Sequence, residues 1–322
     1  MRIVSIIIVS YNVRSYLSNA IDSILKSDYK NFEIIVVDNN SYDDTCYYLE
    51  EKYKTVHVIP NDTNVGFGKA VNQGAKFAKG EYLFVLNPDT IIEEDTISKL
   101  IKFISSNKNI GMVGPKILNA DGSLQLSCKR SFPTLKVALP KILGLDKIFP
   151  NSKWMGKYNL TYLDPLKNHT VDAISGSCML IDSIIFKKIG GFDENFFMFG
   201  EDLDICLRIW KANYEVHYFS DTKIVHYKGE SVKTAPYDSR QAFYASMNIF
   251  VDKHYSSTIS SVTRFFISLG IRLNKFLASL NEKKSLFLSL FLDLSIITSS
   301  FIFAVQFRFS NFDPIIDSHG LV

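Results

Sequence analysis

The stretch Ile3-Val4-Ser5-Ile6-Ile7-Ile8-Val9 decides the fold, and the polar residues Ser10-Tyr11-Asn12 follow it directly. A run made almost entirely of β-branched residues, without alternation, predicts a strand that is buried on both faces, as in a parallel sheet covered by helices. The run also resembles a signal peptide, but it is too short and continues into a helical pattern without a cleavage site. We therefore interpret it as the first strand of a cytoplasmic domain.

The next hundred residues repeat this alternation of strand and helix. Buried strands are predicted at 32–37, 56–59 and 82–86, and helices at 17–25, 43–53, 67–79 and 93–105. Such repetition requires crossover connections, which are right-handed, and it predicts a mostly parallel sheet. The fold class is therefore α/β, with a Rossmann-like domain.

The pattern weakens between Gly114 and Val171, where short apolar pieces are interrupted by Pro133, Pro140, Pro150 and Pro165. This segment is either an acceptor-facing subdomain or a long surface excursion, and the sequence leaves both open. Regular patterns return afterwards. They predict strand-like structure at 173–182, a helix that opens at Gly200-Glu201-Asp202-Leu203-Asp204, a strand pair within 216–226 and a helix at 239–255.

The tail differs from the rest of the chain. Residues 262–280 carry apolar residues on one side with Arg264, Arg272 and Lys275 among them, which predicts a helix lying in a membrane surface; a soluble helix packed on the domain is the alternative. Residues 285–305 are apolar over about the length that a bilayer requires, apart from Asp293. We expect membrane-associated helices over 256–322, with a candidate transmembrane helix at 285–305.

Composition excludes several classes of protein. The chain has 322 residues, of which 47% are hydrophobic, so it can bury a large core and is not disordered. The formal net charge of +3 is small and the basic residues are scattered, which argues against nucleic acid as a partner. Four widely spaced cysteines predict reduced, mostly buried thiols rather than a zinc site or disulfide framework: Cys46, Cys128, Cys178 and Cys206.

Asp89 is the first candidate for chemistry, because Asn87-Pro88-Asp89-Thr90 ends a strand abruptly. Proline restricts the residue before it to extended geometry, so Asp89 projects from a fixed turn. A hard divalent cation needs such a carboxylate together with phosphate oxygens. The alternative is that Asp89 caps the helix that begins near Glu93.

A second group of candidates lies in the helix that opens at Gly200. Asp202 can accept a proton, although Glu201 and Asp202 are also favourable at a helix amino end for structural reasons alone. Asp204 and Arg208 are one turn apart and predict an ion pair on a solvated face. His226 follows a predicted strand; alone it is more often structural, but with Asp89 it becomes a possible second metal ligand.

The first strands supply candidates for nucleotide binding. Tyr11, Asn12 and Asp38 follow neighbouring strands, so we expect them at one edge of the sheet, where Asp38 either binds a base or ribose or caps the following helix together with Ser41. The loop Asn64-Val65-Gly66-Phe67-Gly68 enters a helix and permits close approach of an anion. Neither the dinucleotide-binding glycine pattern nor a P-loop is present.

In this order and spacing, the motifs resemble those of the family 2 glycosyltransferases with a GT-A fold, especially the bacterial rhamnosyltransferase-like branch. The resemblance covers Val4 to Phe250. Its marks are Val9-Ser10-Tyr11-Asn12, Val36-Val37-Asp38-Asn39-Asn40-Ser41, Asn64-Val65-Gly66-Phe67, Asn87-Pro88-Asp89, Gly191-Phe192-Asp193-Glu194 and Phe197-Met198-Phe199-Gly200-Glu201-Asp202-Leu203-Asp204.

The resemblance implies a glycosyltransferase domain over 1–255, with a nucleotide-sugar half at 1–114 and an acceptor and catalytic half at 115–255. The nucleoside is expected to contact Tyr11, Asn12 and Asp38. The same cleft is expected to be lined by Asn64, Gly66 and Asn72.

The resemblance also implies the catalytic residues. Asp89 is the final acid of an Asp-x-Asp metal motif whose first position is Asn87, and His226 is an additional ligand for Mg²⁺ or Mn²⁺. Asp202 is the implied general base, and Asn87 and Glu201 count among the substrate-binding residues. The implied reaction is an inverting single displacement at a sugar carried by a nucleoside diphosphate.

The expected donor is dTDP-rhamnose or a UDP-hexose, and the expected acceptor is a polyprenyl-diphosphate-linked glycan at the cytoplasmic face of the membrane. The chain lacks the Gln-x-x-Arg-Trp motif of processive synthases, which implies the addition of one sugar per encounter. Two alternatives remain: an inactive membrane-anchored scaffold, and a sugar nucleotidyltransferase. The second usually has a glycine-rich basic loop after its first strand, where this chain reads Tyr11-Asn12-Val13-Arg14.

Overall fold

The computed structural model describes residues 2–227, 229, 239–255, 269, 272 and 293–300. In chain order its elements are β1 (Val4–Ser10), α1 (Arg14–Leu25), β2 (Phe32–Asp38), α2 (Thr45–Lys52), β3 (Val56–Pro60), α3 (Phe67–Phe77), β4 (Tyr82–Leu86), β5 (Thr90–Ile92), α4 (Thr96–Ile104), β6 (Ile110–Leu118), β7 (Lys129–Arg130), α5 (Leu135–Ile142), α6 (Leu145–Ile148), β8 (His169–Thr170), β9 (Ala173–Ile174), β10 (Cys178–Asp182), α7 (Ser183–Lys188), α8 (Glu201–Lys211), β11 (Glu215–His226) and α9 (Ser239–Tyr255).

A mixed nine-stranded sheet runs in the order β3-β2-β1-β4-β10-β6-β11-β5, with β8 beside β11. The strands β3, β2, β1 and β4 are parallel, which confirms the prediction from the strand and helix alternation. Every residue of β1 is buried, as its lack of alternation predicts. Helix α3 packs so closely on this part of the sheet that a Cβ at Gly74 would lie 2.8 Å from the side chain of Ile7.

The sheet is mostly parallel, as predicted, but its second half is mixed. Strand β10 is antiparallel to both of its neighbours, β4 and β6, and β5 and β8 are antiparallel to β11. The predicted strand pair within 216–226 is wrong, because these residues form the single strand β11. A register shift between Phe219 and Lys223 bends this strand, which is why its sequence reads as two pieces.

All four cysteines are free thiols, and three of them are buried, as predicted: Cys128, Cys178 and Cys206. Burial raises the pKa of the Cys206 thiol to about 12, so this sulfur is protonated and unreactive at neutral pH.

A buried ionic network joins α8 to α9. Asp204 is fully buried, and its carboxylate lies 2.8 Å from Arg208, 2.7 Å from Lys253 and 2.7 Å from His254. The predicted pairing with Arg208 is confirmed, but its placement on a solvated face is wrong because α9 covers it. Burial alone would raise the pKa of Asp204, but the hydrogen bond from His254 and the two cations outweigh it and hold the pKa at about 2.

Asp204→Asn should therefore destabilise the protein by roughly 3 kcal/mol, since it removes the buried carboxylate on which Arg208, Lys253 and His254 converge. Asp95→Asn removes an exposed carboxylate that also pairs with a lysine, Lys99 at 2.7 Å, and should cost less than about 1 kcal/mol. Urea unfolding near neutral pH measures both. Because the folded-state pKa of Asp204 is depressed, its contribution is present above its unfolded value and lost as pH falls toward 2. Equal effects of the two variants would contradict this assignment.

The chain forms two compact units, Met1–Ser268 and Leu269–Val322. The expected membrane-associated tail, 256–322, lies mostly outside the described residues, as does most of the candidate transmembrane helix at 285–305; residues 293–300 are helical. Within the part of the chain that is described, no helix combines the length and the apolar character needed to cross a bilayer.

Candidate functional site

A cleft of about 460 Å³ opens at the carboxyl ends of β1 and β4, where ligands of α/β sheets usually bind. Part of the lining comes from residues at or just after the ends of these strands, Ser10, Tyr11 and the turn Asn87-Pro88-Asp89. Further lining comes from the amino end of α8, the strand β7 and the last residue of β11. The cleft therefore gathers residues from both halves of the sequence.

The register of the sheet brings His226 to Asp89. Strand β5 pairs antiparallel with β11, which places His226 opposite Thr90, and the amide of Tyr227 donates to the carbonyl of Asp89 at 2.9 Å. Both side chains are buried, and Nε2 of His226 lies 3.2 Å from Oδ1 of Asp89. Asp89 does not cap the following helix, because α4 begins only at Thr96.

The donor atoms of this pair fit a divalent cation. Nδ1 of His226 lies 2.9 Å from Oε1 of Gln125, which can only accept, so Nδ1 carries the proton. In the neutral imidazole, Nε2 is then an acceptor that lies 3.2 Å from Oδ1 of Asp89, a buried oxygen without a hydrogen-bond partner, and 3.4 Å from the side-chain nitrogen of Asn87. Two adjacent lone-pair donors are the arrangement that a cation satisfies.

No third His, Cys, Asp or Glu among the described residues joins these two. A cation held by Asp89 and His226 would therefore need diphosphate oxygens and water as its other ligands, as is common for Mg²⁺.

Asp202 lies in the same cleft and is held in one orientation by three donors. Its Oδ2 lies 2.5 Å from the guanidinium of Arg130 and accepts from the amide of Gly176 at 3.1 Å, while its Oδ1 accepts from the amide of Leu203 at 2.8 Å. Arg130 also donates to the carbonyl of Ile174 at 2.8 Å, which fixes it to β9. A carboxylate oriented this firmly, with a lone pair left on Oδ1, can accept a proton from a bound hydroxyl.

Glu201 lines the cleft beside Asp202 but has a different protonation state. Burial, followed by the charge of Asp202, raises the pKa of Glu201 to about 8. Its Oε2 atom is buried and lacks a hydrogen-bond partner. At neutral pH the Glu201 carboxyl is therefore mostly protonated.

This protonation state predicts that Glu201→Gln stabilises the protein at high pH. A raised folded-state pKa means that the wild-type contribution is complete below 4.5, the usual value, and is lost as pH rises through about 8. The melting temperature of the variant relative to wild type should therefore increase by roughly 2 °C or more between about pH 6 and pH 9. Glu50→Gln, at an exposed carboxylate, is the control. If the melting temperatures of Glu201→Gln and wild type differ by the same amount at both pH values, the assignment is contradicted.

The predicted nucleoside-binding residues after β1 and β2 are not all in the cleft. Tyr11 lines it, with its ring edge-on to Tyr42 at 6.3 Å. Asn12 has a positive φ of 53°, and its side chain accepts from the amide of Tyr42 at 2.9 Å. Both carboxylate oxygens of Asp38 accept from Ser41, at 2.8 and 2.6 Å, so Asp38 shapes the loop after β2 and does not line the cavity.

The loop before α3 approaches the cleft closely. Asn64 and Gly66 line it, and Oδ1 of Asn64 accepts from the Gly66 amide at 3.0 Å. Gly66 has φ of +86°, and a Cβ there would lie 2.4 Å from the carbonyl of Phe197, so only glycine fits. Asn72 lies elsewhere: its amide binds the backbone of Phe192 and joins α3 to the loop before α8.

Sequence reasoning missed Arg130 and Gln125, which orient Asp202 and His226 respectively. Both lie within 114–171, where the hydrophobic periodicity is weak. Both are nonetheless buried. The sequence around Arg130 gives no indication of its role, because its partner Asp202 is 72 positions away.

Comparison with known proteins agrees with this geometry. The family model described as glycosyl transferase family 2 matches residues 5–190, and a model described as the N-terminal domain of galactosyltransferase matches residues 166–230. The first range contains Asp89, and the second contains Asp202 and His226.

Two curated relatives are rhamnosyltransferases. The chain is 27% identical over 264 residues to an N-acetylglucosaminyl-diphospho-decaprenol L-rhamnosyltransferase of Mycobacterium tuberculosis, which covers 78% of this chain and 85% of the relative. It is 28% identical over 251 residues to the rhamnosyltransferase WbbL of Escherichia coli, which covers 74% and 86%. Among solved structures, S. aureus TarS in complex with UDP-GlcNAc matches with a TM-score of 0.53 at 20% identity, over 86% of this chain and 73% of that one.

Proposed function

The chain belongs to glycosyl transferase family 2, and on that premise we propose that it transfers one rhamnose per encounter, with inversion, from a nucleoside diphosphate to a lipid-linked glycan. It is a hexosyltransferase with a GT-A-like fold that uses a nucleotide sugar, and it is similar to rhamnosyltransferases. The observation that carries the proposal is the position of Asp202 in one cleft with Asp89 and His226.

Asp202 acts in the proposed reaction as the general base. It takes the proton from an acceptor hydroxyl while that oxygen attacks the anomeric carbon, and the bond from that carbon to the diphosphate oxygen breaks. Arg130 and Gly176 hold Oδ2, so Oδ1 is the oxygen that faces the hydroxyl. No covalent sugar–enzyme intermediate is needed, since one displacement inverts the centre.

Asp89 and His226 would hold Mg²⁺ or Mn²⁺, and a bound cation supplies charge neutralisation for the departing nucleoside diphosphate. Gln125 fixes the imidazole of His226 in the tautomer that presents Nε2 to the cleft. Tyr11, Asn64 and Gly66 line the cleft where the nucleotide would bind.

We place the donor as dTDP-rhamnose or a UDP-hexose and the acceptor as a polyprenyl-diphosphate-linked glycan. The name of the mycobacterial relative, which acts on a diphospho-decaprenol-linked sugar, supports a lipid-linked acceptor. Such an acceptor requires work at a membrane surface, and we place the protein at the cytoplasmic face of the plasma membrane.

The test is transfer from each candidate donor to a synthetic N-acetylglucosaminyl-diphospho-polyprenol in detergent, with Mn²⁺. The expected result is a disaccharide product with inverted anomeric configuration by NMR, and no release of inorganic pyrophosphate. Pyrophosphate release would instead favour a nucleotidyltransferase. Donor binding without transfer to any lipid-linked acceptor would contradict the acceptor class.

A further inference from the structure

The segment 132–157 leaves the wall of the catalytic cleft and returns to it. It starts directly after β7, whose Arg130 contacts Asp202, and it closes where the amide of Ser131 donates to the carbonyl of Tyr158 at 2.9 Å. The amine of Lys129 donates to the carbonyl of Leu160 at 2.7 Å, a second hydrogen bond that joins the two ends of the segment. Any surface to which this segment is attached is therefore coupled to the position of the catalytic residues.

The segment exposes large apolar side chains at high density. Five lie within sixteen positions and are 47–66% exposed: Leu139, Leu143, Ile148, Phe149 and Trp154. Leu143 caps the carboxyl end of α5 one turn after Leu139, with its amide bonded to the carbonyl of Leu139, so the two side chains lie on one face. Single exposed apolar residues are ordinary, but a group of this kind marks a surface that binds something apolar.

The charge of the segment identifies the partner. Its basic residues are Lys136, Lys141, Lys147, Lys153 and Lys157, and its only acid is Asp146. Asp146 is buried and already bound by Lys141 at 2.7 Å. Four lysines are therefore left without a balancing carboxylate within the segment. Exposed tryptophan and leucine beside unbalanced lysine is the composition that partitions into the interface of an anionic bilayer.

We propose that the segment 132–157 docks on the anionic surface of a phospholipid bilayer, with its exposed apolar side chains in the interface and its lysines at the headgroups. The segment is distinct in sequence from the tail at 256–322. Its link to catalysis rests on the proposed function: docking through a segment rooted at β7 holds the Asp202 end of the cleft near the membrane, where a lipid-linked acceptor is embedded.

Trp154 reports on this contact without interference from binding by the tail. The chain has two tryptophans, and Trp210→Phe leaves Trp154 as the sole reporter in the full chain. With vesicles that contain phosphatidylglycerol, the emission of Trp154 should shift to shorter wavelength and be quenched by lipids with brominated chains. Neutral phosphatidylcholine vesicles should produce little of either change. If Trp210→Phe impairs folding, the difference between wild type and Trp154→Phe gives the same signal.

Charge variants test the role of the lysines. Lys136→Gln/Lys147→Gln/Lys153→Gln should weaken the vesicle-induced change at Trp154 on the order of a hundredfold in lipid concentration, at about fivefold for each of the three lysines. The matched control is Lys26→Gln/Lys54→Gln/Lys108→Gln, which removes the same charge from exposed positions outside the segment. The control should leave the Trp154 change nearly as it is in wild type.

The proposal is overturned if the protein sediments with vesicles while Trp154 neither shifts nor is quenched, or if the two triple variants weaken binding equally. It is also overturned if the emission of Trp154 changes with protein concentration in the absence of lipid, since a second copy would then cover the segment. Donor binding measured on the wild type and on the triple variant keeps the tests apart, and the triple variant should bind donor as the wild type does. In the wild type, donor binding without vesicle docking refutes this surface only, and vesicle docking without donor binding refutes the proposed function only.

Discussion

Asp202→Asn is expected to lower the rate of sugar transfer by about a thousandfold while donor affinity changes little. The magnitude follows from the 10²–10⁴-fold that a positioned general base contributes. Asparagine keeps the size of the side chain and can still accept hydrogen bonds from Arg130 and Gly176 through its oxygen, but it cannot take a proton. The measurement is single-turnover transfer together with donor titration.

The control for this variant is Asp95→Asn, which removes a half-exposed carboxylate on the amino side of α4. It should transfer sugar at the wild-type rate. Circular dichroism checks that Asp202→Asn remains folded, because the substitution also leaves the buried guanidinium of Arg130 without its counter-charge. A rate within tenfold of wild type would show that another group accepts the proton. Loss of donor affinity in parallel would show that Asp202 only shapes the cleft.

Asp89→Ala is expected to weaken metal-dependent donor binding on the order of a hundredfold or more. Mutation of residues that only hydrogen-bond to metal ligands already lowers metal affinity about 10–100-fold, and Asp89 is itself a proposed ligand. The substitution removes one of the two lone-pair donors that meet in the cleft and leaves His226 alone. Calorimetric titration of Mn²⁺ and nucleoside diphosphate into the variant measures the effect.

Gln125→Leu gives a graded comparison with Asp89→Ala. It keeps the buried volume but removes the acceptor that fixes the tautomer of His226, so we expect a loss of about tenfold. Metal affinity that is unchanged in Asp89→Ala would contradict the ligand assignment. A larger loss in Gln125→Leu than in Asp89→Ala would indicate a general disturbance of the cleft rather than an effect on the metal ligands.

The first half of the fold could be predicted from the sequence because its information is local. The mainly β-branched run of β1, which lacks alternation, and the helical spacing of α1 each identify an element without reference to the rest of the chain. Strand β10 could not be placed in the same way. Its sequence predicts a buried strand, but its antiparallel position between β4 and β6 depends on pairing with residues about 70 to 100 positions away.

The site was predictable where a motif fixes the backbone. Asn87-Pro88-Asp89 predicts a turn that projects a carboxylate, and that carboxylate lines the cleft. Arg130 and Gln125 were not predictable, because tertiary packing alone decides what they contact. The prediction that Asp204 lies on a solvated face was wrong for a related reason. Helical spacing identifies its pairing with Arg208 but not the helix α9, which covers the pair.

The central claim is that one cleft binds a nucleotide sugar through a cation held at Asp89. Its most direct test is the melting temperature of wild type and Asp89→Ala in the presence of dTDP-rhamnose or UDP-hexoses, each with and without Mn²⁺. We predict that one donor stabilises the wild type only when Mn²⁺ is present and that Asp89→Ala loses this stabilisation. No stabilisation of the wild type by any of these donors, or an equal one in Asp89→Ala, would contradict the claim.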